Sequence, residues 1–317
     1  MTDTVAFEIS GTLKLPNSDD WCLIEKQSRR TQGGDAWETD GWIAQHEITG
    51  LRIFGHEHSA IRAEVSVPKV CFGGLNFMEI SRDSFGSALE KTRELVRSAV
   101  EPNELEPFGA FTRVDLVKQF RVSPIDIINS HLTVRHPSIR KAGVQYFDES
   151  IQWHGKDRRL RMYDKLREVK NKHQPGPITR AELQLRSEAL RRDFGGCKSQ
   201  KVEHDALTFD RAYNVYRRYL TRLKPLPLRR VTSQANFLSM LISEGVKMQG
   251  VPVFDVYCRG KSLRHVRRLR KQIAEARPAF WHWSWREQLP ESSAEVISVN
   301  PTKEEMEEYW GEVKEAS

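Results

Sequence analysis

The stretch Arg158-Arg159-Leu160-Arg161-Met162-Tyr163-Asp164-Lys165-Leu166-Arg167-Glu168 sits near the middle of the 317-residue chain. Taken as a β-strand, it alternates. Arg161, Tyr163 and Lys165 fall on one face, with Leu160 and Met162 on the other as core. A tyrosine is thereby placed between two cations, with Glu168 just past the strand end. Upstream, Gln145 to Trp153 forms the other arm of a hairpin around Gly155-Lys156-Asp157.

Two more strands repeat the pattern. In Ala110 to Val117, Arg113 and Asp115 share a face opposite Thr112, Val114 and Leu116. In Ile178 to Arg186, Arg180, Glu182 and Gln184 face one way, and Ala181, Leu183 and Leu185 the other. Two readings of this polar face stand side by side. Alternating Arg and Glu on a strand often marks a solvated sheet face crossed by ion pairs. If the three strands are neighbours, the same residues gather carboxylates, a phenol and cations into one site.

The site reading has a definite chemistry. Carboxylates bind a hard divalent ion, Mg²⁺ or Mn²⁺, through oxygen. Tyrosine, with a reference pKa near 10, attacks a phosphodiester only where its phenolate is stabilised. Arg161, Lys165 and a cation would supply that field.

The rest of the chain frames these strands. Residues 1 to 45 read as loops with short strands. Ile48 to Phe54 and Ala60 to Val67 read as strands joined at Gly55-His56-Glu57-His58, with a further strand over Leu75 to Ile80. Asp83 or Ser84 opens a helix to about Val100, whose apolar stripe is Phe85, Ala88, Leu89, Leu95, Val96 and Ala99. Ser123-Pro124 starts a helix to about His131, and Ser187 caps another that stops at Gly195-Gly196. Beyond Gly196 the pattern is helical and basic. Phe209 to Leu223 carries Tyr213, Tyr216 and Tyr219, which either stack on bases or pack in a core. A helix from Thr232 or Ser233 follows. The helix from Ser262 exposes Arg264, Arg267, Arg268, Arg270 and Lys271, a face suited to phosphates or simply to water. Phe280 to Trp285 is an aromatic run that stacks on bases or closes a core.

The fold class expected is α+β, a mostly antiparallel sheet with helices on one face, followed by a helical basic C-terminal region. The expected division is 1–200 for the sheet and its site, 201–290 for the basic helices, and 291–317 for an acidic tail.

Composition narrows the classes. Net charge is +7, from 50 Lys and Arg against 43 acids, with a pI near 9.2. That balance favours a polyanionic partner. Hydrophobic content is 38% and mean hydropathy −0.59, and no run approaches the roughly 18 apolar residues of a membrane span. Met1 to Ser10 lacks the pattern of a secretory signal, so a cytoplasmic protein is expected. The 4 cysteines, Cys22, Cys71, Cys197 and Cys258, have no C-x-x-C spacing and read as free thiols.

Together these motifs resemble the filamentous-phage gene II/X replication initiators and, more distantly, the Rep_trans plasmid initiators. The matching elements are Arg113-Val114-Asp115, then Tyr163-Asp164-Lys165-Leu166-Arg167-Glu168, then Arg180-Ala181-Glu182, in the expected order and spacing. Ser66 to Val70 with Gly73-Gly74-Leu75-Asn76, and the basic segment Tyr257 to Arg270, also resemble the phage family. The likeness spans roughly residues 60 to 275.

The resemblance implies a nickase with the palm-like sheet of the His-hydrophobic-His superfamily. It implies a bacterial host cell and a rolling-circle replication initiator of phage or plasmid type. Such an enzyme nicks one DNA strand at an origin, stays joined to the 5′ phosphate through Tyr163, and later rejoins the strand. By the same resemblance Asp115, Glu182 and Glu168 hold Mg²⁺ or Mn²⁺, Lys165 assists at the phosphate, and Arg113, Arg161 and Arg180 lie along DNA. A host helicase and polymerase are the implied helpers. The histidine pair of the wider superfamily has no clear counterpart: His56-Glu57-His58 has a charged centre, and His131 and His136 are too far apart. No second tyrosine sits in a comparable motif. Two other readings remain: a non-enzymatic DNA-binding replication regulator, and a transposase or mobilisation relaxase with the same chemistry.

Overall fold

In a computed structural model, residues 1–14, 20–26, 41–56, 59–76, 78–103, 108–124, 127, 131, 134–137, 139, 144–147, 150–165, 178–195, 202–225, 262, 264–265, 267–268 and 284–302 are described. The strands are β1 (Thr2–Leu13), β2 (Trp21–Lys26), β3 (Gly41–His46), β4 (Arg52–His56), β5 (Ser59–Ser66), β6 (Val100–Pro102), β7 (Phe108–Phe120), β8 (Val134–Arg135), β9 (Val144–Phe147), β10 (Ser150–His154), β11 (Arg158–Asp164), β12 (Thr179–Arg186) and β13 (Lys224–Pro225). The helices are α1 (Val67–Cys71), α2 (Phe85–Ala99), α3 (Ser187–Phe194), α4 (Phe209–Leu220) and α5 (Ser284–Glu287). The class is α+β with mostly antiparallel sheet, as expected.

The chain divides into two compact units, Met1–Val117 with Gln184–Val215, and Lys118–Leu183 with Tyr216–Ser317. In the first, the strand order is β2-β3-β4-β5-β1-β7-β12, with β6 on β1. The pairs β2–β3, β3–β4, β4–β5, β5–β1 and β1–β7 are antiparallel. Inside this unit, between β5 and β7, lies β1, in a stretch whose sequence reads as loops with short strands. Val5 pairs with Val65 on one side and Val114 on the other, and all three are buried. Thr2 and Asp3 are buried as well, because a strand paired on both sides satisfies its backbone while covering short polar side chains.

Val67 to Ile80 departs from the expected strands. Pro68 falls in the first turn of α1, where its fixed φ suits a helix and its missing N–H costs nothing. Gly73 and Gly74 then turn the chain at φ 59° and 94°, backbone that side chains with a Cβ disfavour. Among the described residues from Leu75 to Ile80 no strand forms. Ile80 instead accepts a bond from the Met1 amino group at 2.9 Å. The α2 helix follows its apolar period, burying Phe85, Ala88, Thr92, Val96 and Ala99. Phe85 meets Phe209 of α4 edge-on at 5.7 Å.

In the second unit the order is β7-β12-β11-β10-β9, with β8 and β13 paired separately. The β10–β11 hairpin puts Gln152 opposite Arg161 and Ser150 opposite Tyr163, and Gly155 N–H donates to the Arg158 carbonyl across its turn at 2.9 Å. Trp153 is buried and donates from Nε1 to the Val134 carbonyl at 2.9 Å. Trp285 of α5 is also core. It donates to His131 Nε2 at 3.2 Å and meets Phe120 at 5.7 Å. Of the two readings of the Phe280 to Trp285 run, Trp285 takes the packing one; residues 280–283 lie outside the described residues. Further on, Lys118 Nζ donates to the Ile297 carbonyl at 2.7 Å and Gln119 Nε2 to that of Val299 at 2.8 Å.

Helix α4 decides between the two readings of its tyrosines. Tyr213 and Tyr216 are fully buried and Tyr219 is 2% exposed. Tyr216 donates its hydroxyl to the Ala181 carbonyl at 2.9 Å, and the Tyr219 ring stacks on His136 at 5.5 Å. They are core residues. Their three-residue spacing keeps them on one side of the helix. The helix read from Thr232 or Ser233 and the acidic segment after Thr302 lie outside the described residues.

Candidate functional site

The polar strand faces are not solvated. Asp115 is 1% exposed, Tyr163 2%, Glu182 and Gln184 5%, Lys165 6% and Arg180 0%. Polar side chains buried to this degree must be held by partners; those of Asp115 and Gln184 lie in the first unit, and those of Tyr163 and Glu182 in the second.

In the first unit the cluster is a row across strands. Ala6 of β1 stands opposite Glu64 of β5 on one side and Arg113 of β7 on the other. Directly opposed residues share a face, so Glu64, Ala6 and Arg113 line up across two strand spacings. The short Ala6 side chain leaves the span open, and Arg113 Nη1 reaches Glu64 Oε1 at 3.0 Å. Arg113 also grips Asp115 with two donors: Nε to Oδ1 at 2.9 Å, and Nη2 to Oδ2. Gln184 Nε2 donates to Asp115 Oδ2 at 3.3 Å. Glu64 is itself crowded, taking Arg52 on Oε1 at 2.8 Å and Arg62 on Oε2 at 2.7 Å. Sequence reading missed Glu64. Its signal is the two-residue period that puts it on the Arg62 face of β5, but its link to Arg113 spans 49 residues of chain.

In the second unit the cluster surrounds Tyr163. Its hydroxyl donates to Glu182 Oε2 at 3.1 Å, and Arg161 Nη2 donates to the same oxygen at 3.3 Å. The Arg161 guanidinium lies over the Tyr163 ring at 3.8 Å, and Lys165 Nζ is 5.8 Å from its centre. The alternation read from sequence is therefore realised: the Arg161 and Lys165 side chains converge on the Tyr163 ring. Burial alone would raise the pKa of Glu182, but Arg161, the Tyr163 hydroxyl, Arg159 and Lys165 outweigh it and hold the carboxyl below its ordinary value. Glu182 is thus an ionised acceptor at neutral pH, poised against a phenol. At 2% exposure, the Tyr163 oxygen meets an outside reactant only after a neighbouring group moves aside.

Asp115 and Glu182 carry oxygen donors of the kind Mg²⁺ and Mn²⁺ accept, and each is engaged by an arginine, Asp115 by Arg113 and Glu182 by Arg161. Among the described residues no group of three or more His, Cys, Asp or Glu side chains is gathered for a metal. Glu168, the third carboxylate expected there, lies outside the described residues. The histidines serve other ends. His131 accepts from Trp285. His136 donates from Nε2 to the Tyr219 carbonyl at 2.9 Å. His56 is exposed at a strand end, and Glu57 and His58 lie outside the described residues.

The basic residues differ in exposure. Arg264, Arg267 and Arg268 are exposed and helical, while Arg270 and Lys271 lie outside the described residues. The Arg113 side chain is 15% exposed and that of Arg161 25%, both tied to carboxylates, and Arg180 is wholly buried. No helix among the described residues is long and apolar enough to cross a membrane.

No described protein family matches the chain, and no curated protein does either. Among solved structures, the rolling circle replication initiator protein from Geobacillus stearothermophilus aligns over 74% of this chain and 88% of its own, at 14% identity and a TM-score of 0.36. A score of that size carries neither fold nor activity across to this chain.

Proposed function

We propose that the protein is a metal-dependent DNA nickase and strand transferase that initiates rolling-circle replication with Tyr163 as nucleophile. The observation that carries this reading is the Tyr163–Glu182 contact: a buried phenol donating to an ionised carboxylate beneath a guanidinium. The motif order Arg113–Asp115, Tyr163–Lys165, Arg180–Glu182 supports it from the sequence side.

Each residue has a task. Glu182 Oε2 already accepts the phenolic hydrogen bond and orients the Tyr163 oxygen, and the phenolic proton ends on the leaving 3′ oxygen by way of solvent. Arg161 over the ring and Lys165 nearby stabilise the negative charge on the oxygen. The Tyr163 oxygen then bonds to the scissile phosphorus and the 3′ oxygen leaves, so the phosphotyrosyl link keeps the energy needed to rejoin the strand. Asp115 and Glu182, with Glu168, are the carboxylates we assign to Mg²⁺ or Mn²⁺. When bound, the ion polarises a phosphoryl oxygen. We assign the chemistry to residues 1–200 and a grip on DNA to the exposed Arg264, Arg267 and Arg268. A host helicase and polymerase would extend the 3′ end.

A second reading has its own support. Asp115 is held by Arg113 through both oxygens, and Tyr163 is buried. A non-enzymatic DNA-binding replication regulator would need the same residues only as a polar core. Incubating the protein with supercoiled plasmids carrying candidate origins and Mg²⁺ separates the two. Nicked circles bearing covalent protein support the initiator, and retained binding to intact DNA supports the regulator.

A further inference from the structure

Arg159 precedes Arg161 by two residues on β11, and the hairpin register sets its face. Arg159 pairs with His154, Arg161 with Gln152 and Tyr163 with Ser150. Alternate residues of a strand share a face, so Arg159, Arg161 and Tyr163 form one line along β11. His154, Gln152 and Ser150 run beside it on β10, since directly opposed residues share a face. The charge of Arg159 is also felt at Glu182: burial would raise that carboxyl's pKa, and Arg161, the Tyr163 hydroxyl and Arg159 hold it down. Arg159 therefore lies on the side of the sheet that carries the phenol.

Exposure rises along this line toward the hairpin turn. Tyr163 is 2% exposed and the Arg161 side chain 25%, Arg159 is half-buried, and His154 is exposed. The two arginines are not equivalent. Arg161 is engaged by Glu182. Among the described residues Arg159 makes no ion pair, and its Nε is buried without an acceptor. A guanidinium drawn part-way out of water with no anion beside it is a ready fork for a phosphate.

The spacing suits a strand of DNA. Successive residues on one strand face are about 6.6 Å apart, a step close to that between neighbouring phosphates of an extended single strand. Arg161 covers the phenol and so meets the phosphate that Tyr163 attacks. A strand laid along β11 brings its next phosphate over Arg159.

We infer that Arg159 holds the phosphate next to the scissile one, so that a single DNA strand runs along β11 from Tyr163 and leaves over His154 at the hairpin. The inference rests on the nickase reading and names the path of its substrate. Arg159 touches a phosphate that does not react, so its role is to bind and place the strand. If Arg159 served only to keep Glu182 charged, its loss would change Glu182 and leave the contact with DNA as it was.

The test is binding of the full-length protein to a fluorescein-labelled single-stranded oligothymidylate across a range of NaCl, without divalent ions so that nothing is cleaved. Arg159→Gln is expected to weaken binding about tenfold, the worth of one hydrogen bond to a charged group. It should also reduce the slope of log affinity against log salt by about 0.7, the share of one phosphate contact on a single strand. Arg159→Lys should keep the slope and lose part of the affinity. Arg158→Gln removes the neighbouring cation, which turns to the other face over the Tyr219 ring at 5.7 Å, and should keep the slope. An equal drop in Arg158→Gln would assign the effect to net charge and overturn the inference. If Arg161→Gln reduces the slope and Arg159→Gln does not, Arg159 loses its phosphate and the nickase reading stands. If neither reduces it, DNA does not lie on this face, and the inference and that reading fall together. Should Arg159→Gln fail to fold, Arg159→Met, which keeps the apolar stem, is read in the same way.

Discussion

The Tyr163 hydroxyl donates to Glu182 Oε2 at 3.1 Å while Arg161 binds that oxygen and covers the Tyr163 ring. One guanidinium thus serves both partners, holding the carboxylate charged and facing the phenol. This coupling of acceptor and nucleophile through Arg161 is the core of the proposed chemistry.

Asp115 and Glu182 are each assigned to the metal by their oxygen donors, so Asp115→Asn and Glu182→Gln should each shift the Mn²⁺ titration of nicking to higher concentration. An unchanged titration in either variant would remove that carboxylate from the metal.

His136 gives a pH signature of folding. Burial pushes its pKa down from 6.5 to about 4, with Arg222 and Arg158 adding to the effect against the opposing Tyr219 carbonyl. The unfolded chain therefore binds a proton between these values and the folded chain does not, so stability falls as pH drops from 6.5 towards 4 and levels off below. A shift of this size corresponds to about 3 kcal/mol. Urea midpoints across that range should fall in the unaltered protein, with a smaller fall in His136→Gln. Parallel curves for the two would remove His136 as the cause.

The tyrosines of α4 should act on stability and not on DNA. Tyr216→Phe loses the bond to the Ala181 carbonyl and should cost about 1 kcal/mol. Single-stranded DNA affinity should be unchanged in Phe variants at Tyr213, Tyr216 and Tyr219. A drop in affinity at unchanged stability would restore the base-stacking reading.

Arg267 and Arg268 are exposed and should be read through salt. Replacing both with Gln should reduce the slope of log affinity against log salt by about 2 if each meets a phosphate. An unaltered slope would place them on a solvated surface.

Much of this was legible in sequence where a period was strong. The polar faces of β7, β11 and β12 followed from a repeat of two, and α2 from its helical stripe. What burial does to those faces was not legible. A strand covered on both sides and one wet on one side share the same alternation, so Arg180 and Glu182 read as surface or site alike. The length and central place of β1 were not legible: residues 1 to 45 read as loops with short strands, and pairing with both β5 and β7 is what extends Thr2–Leu13 into one long strand. Glu64 was missed because its partner Arg113 is brought to it only by the strand order β5-β1-β7.

The most direct test is to trap the protein on a nicked origin oligonucleotide and map the peptide left on the 5′ phosphate. The account predicts a single adduct on Tyr163, absent in Tyr163→Phe although that variant still binds the DNA. An adduct on any other residue, or one that survives in Tyr163→Phe, would contradict it.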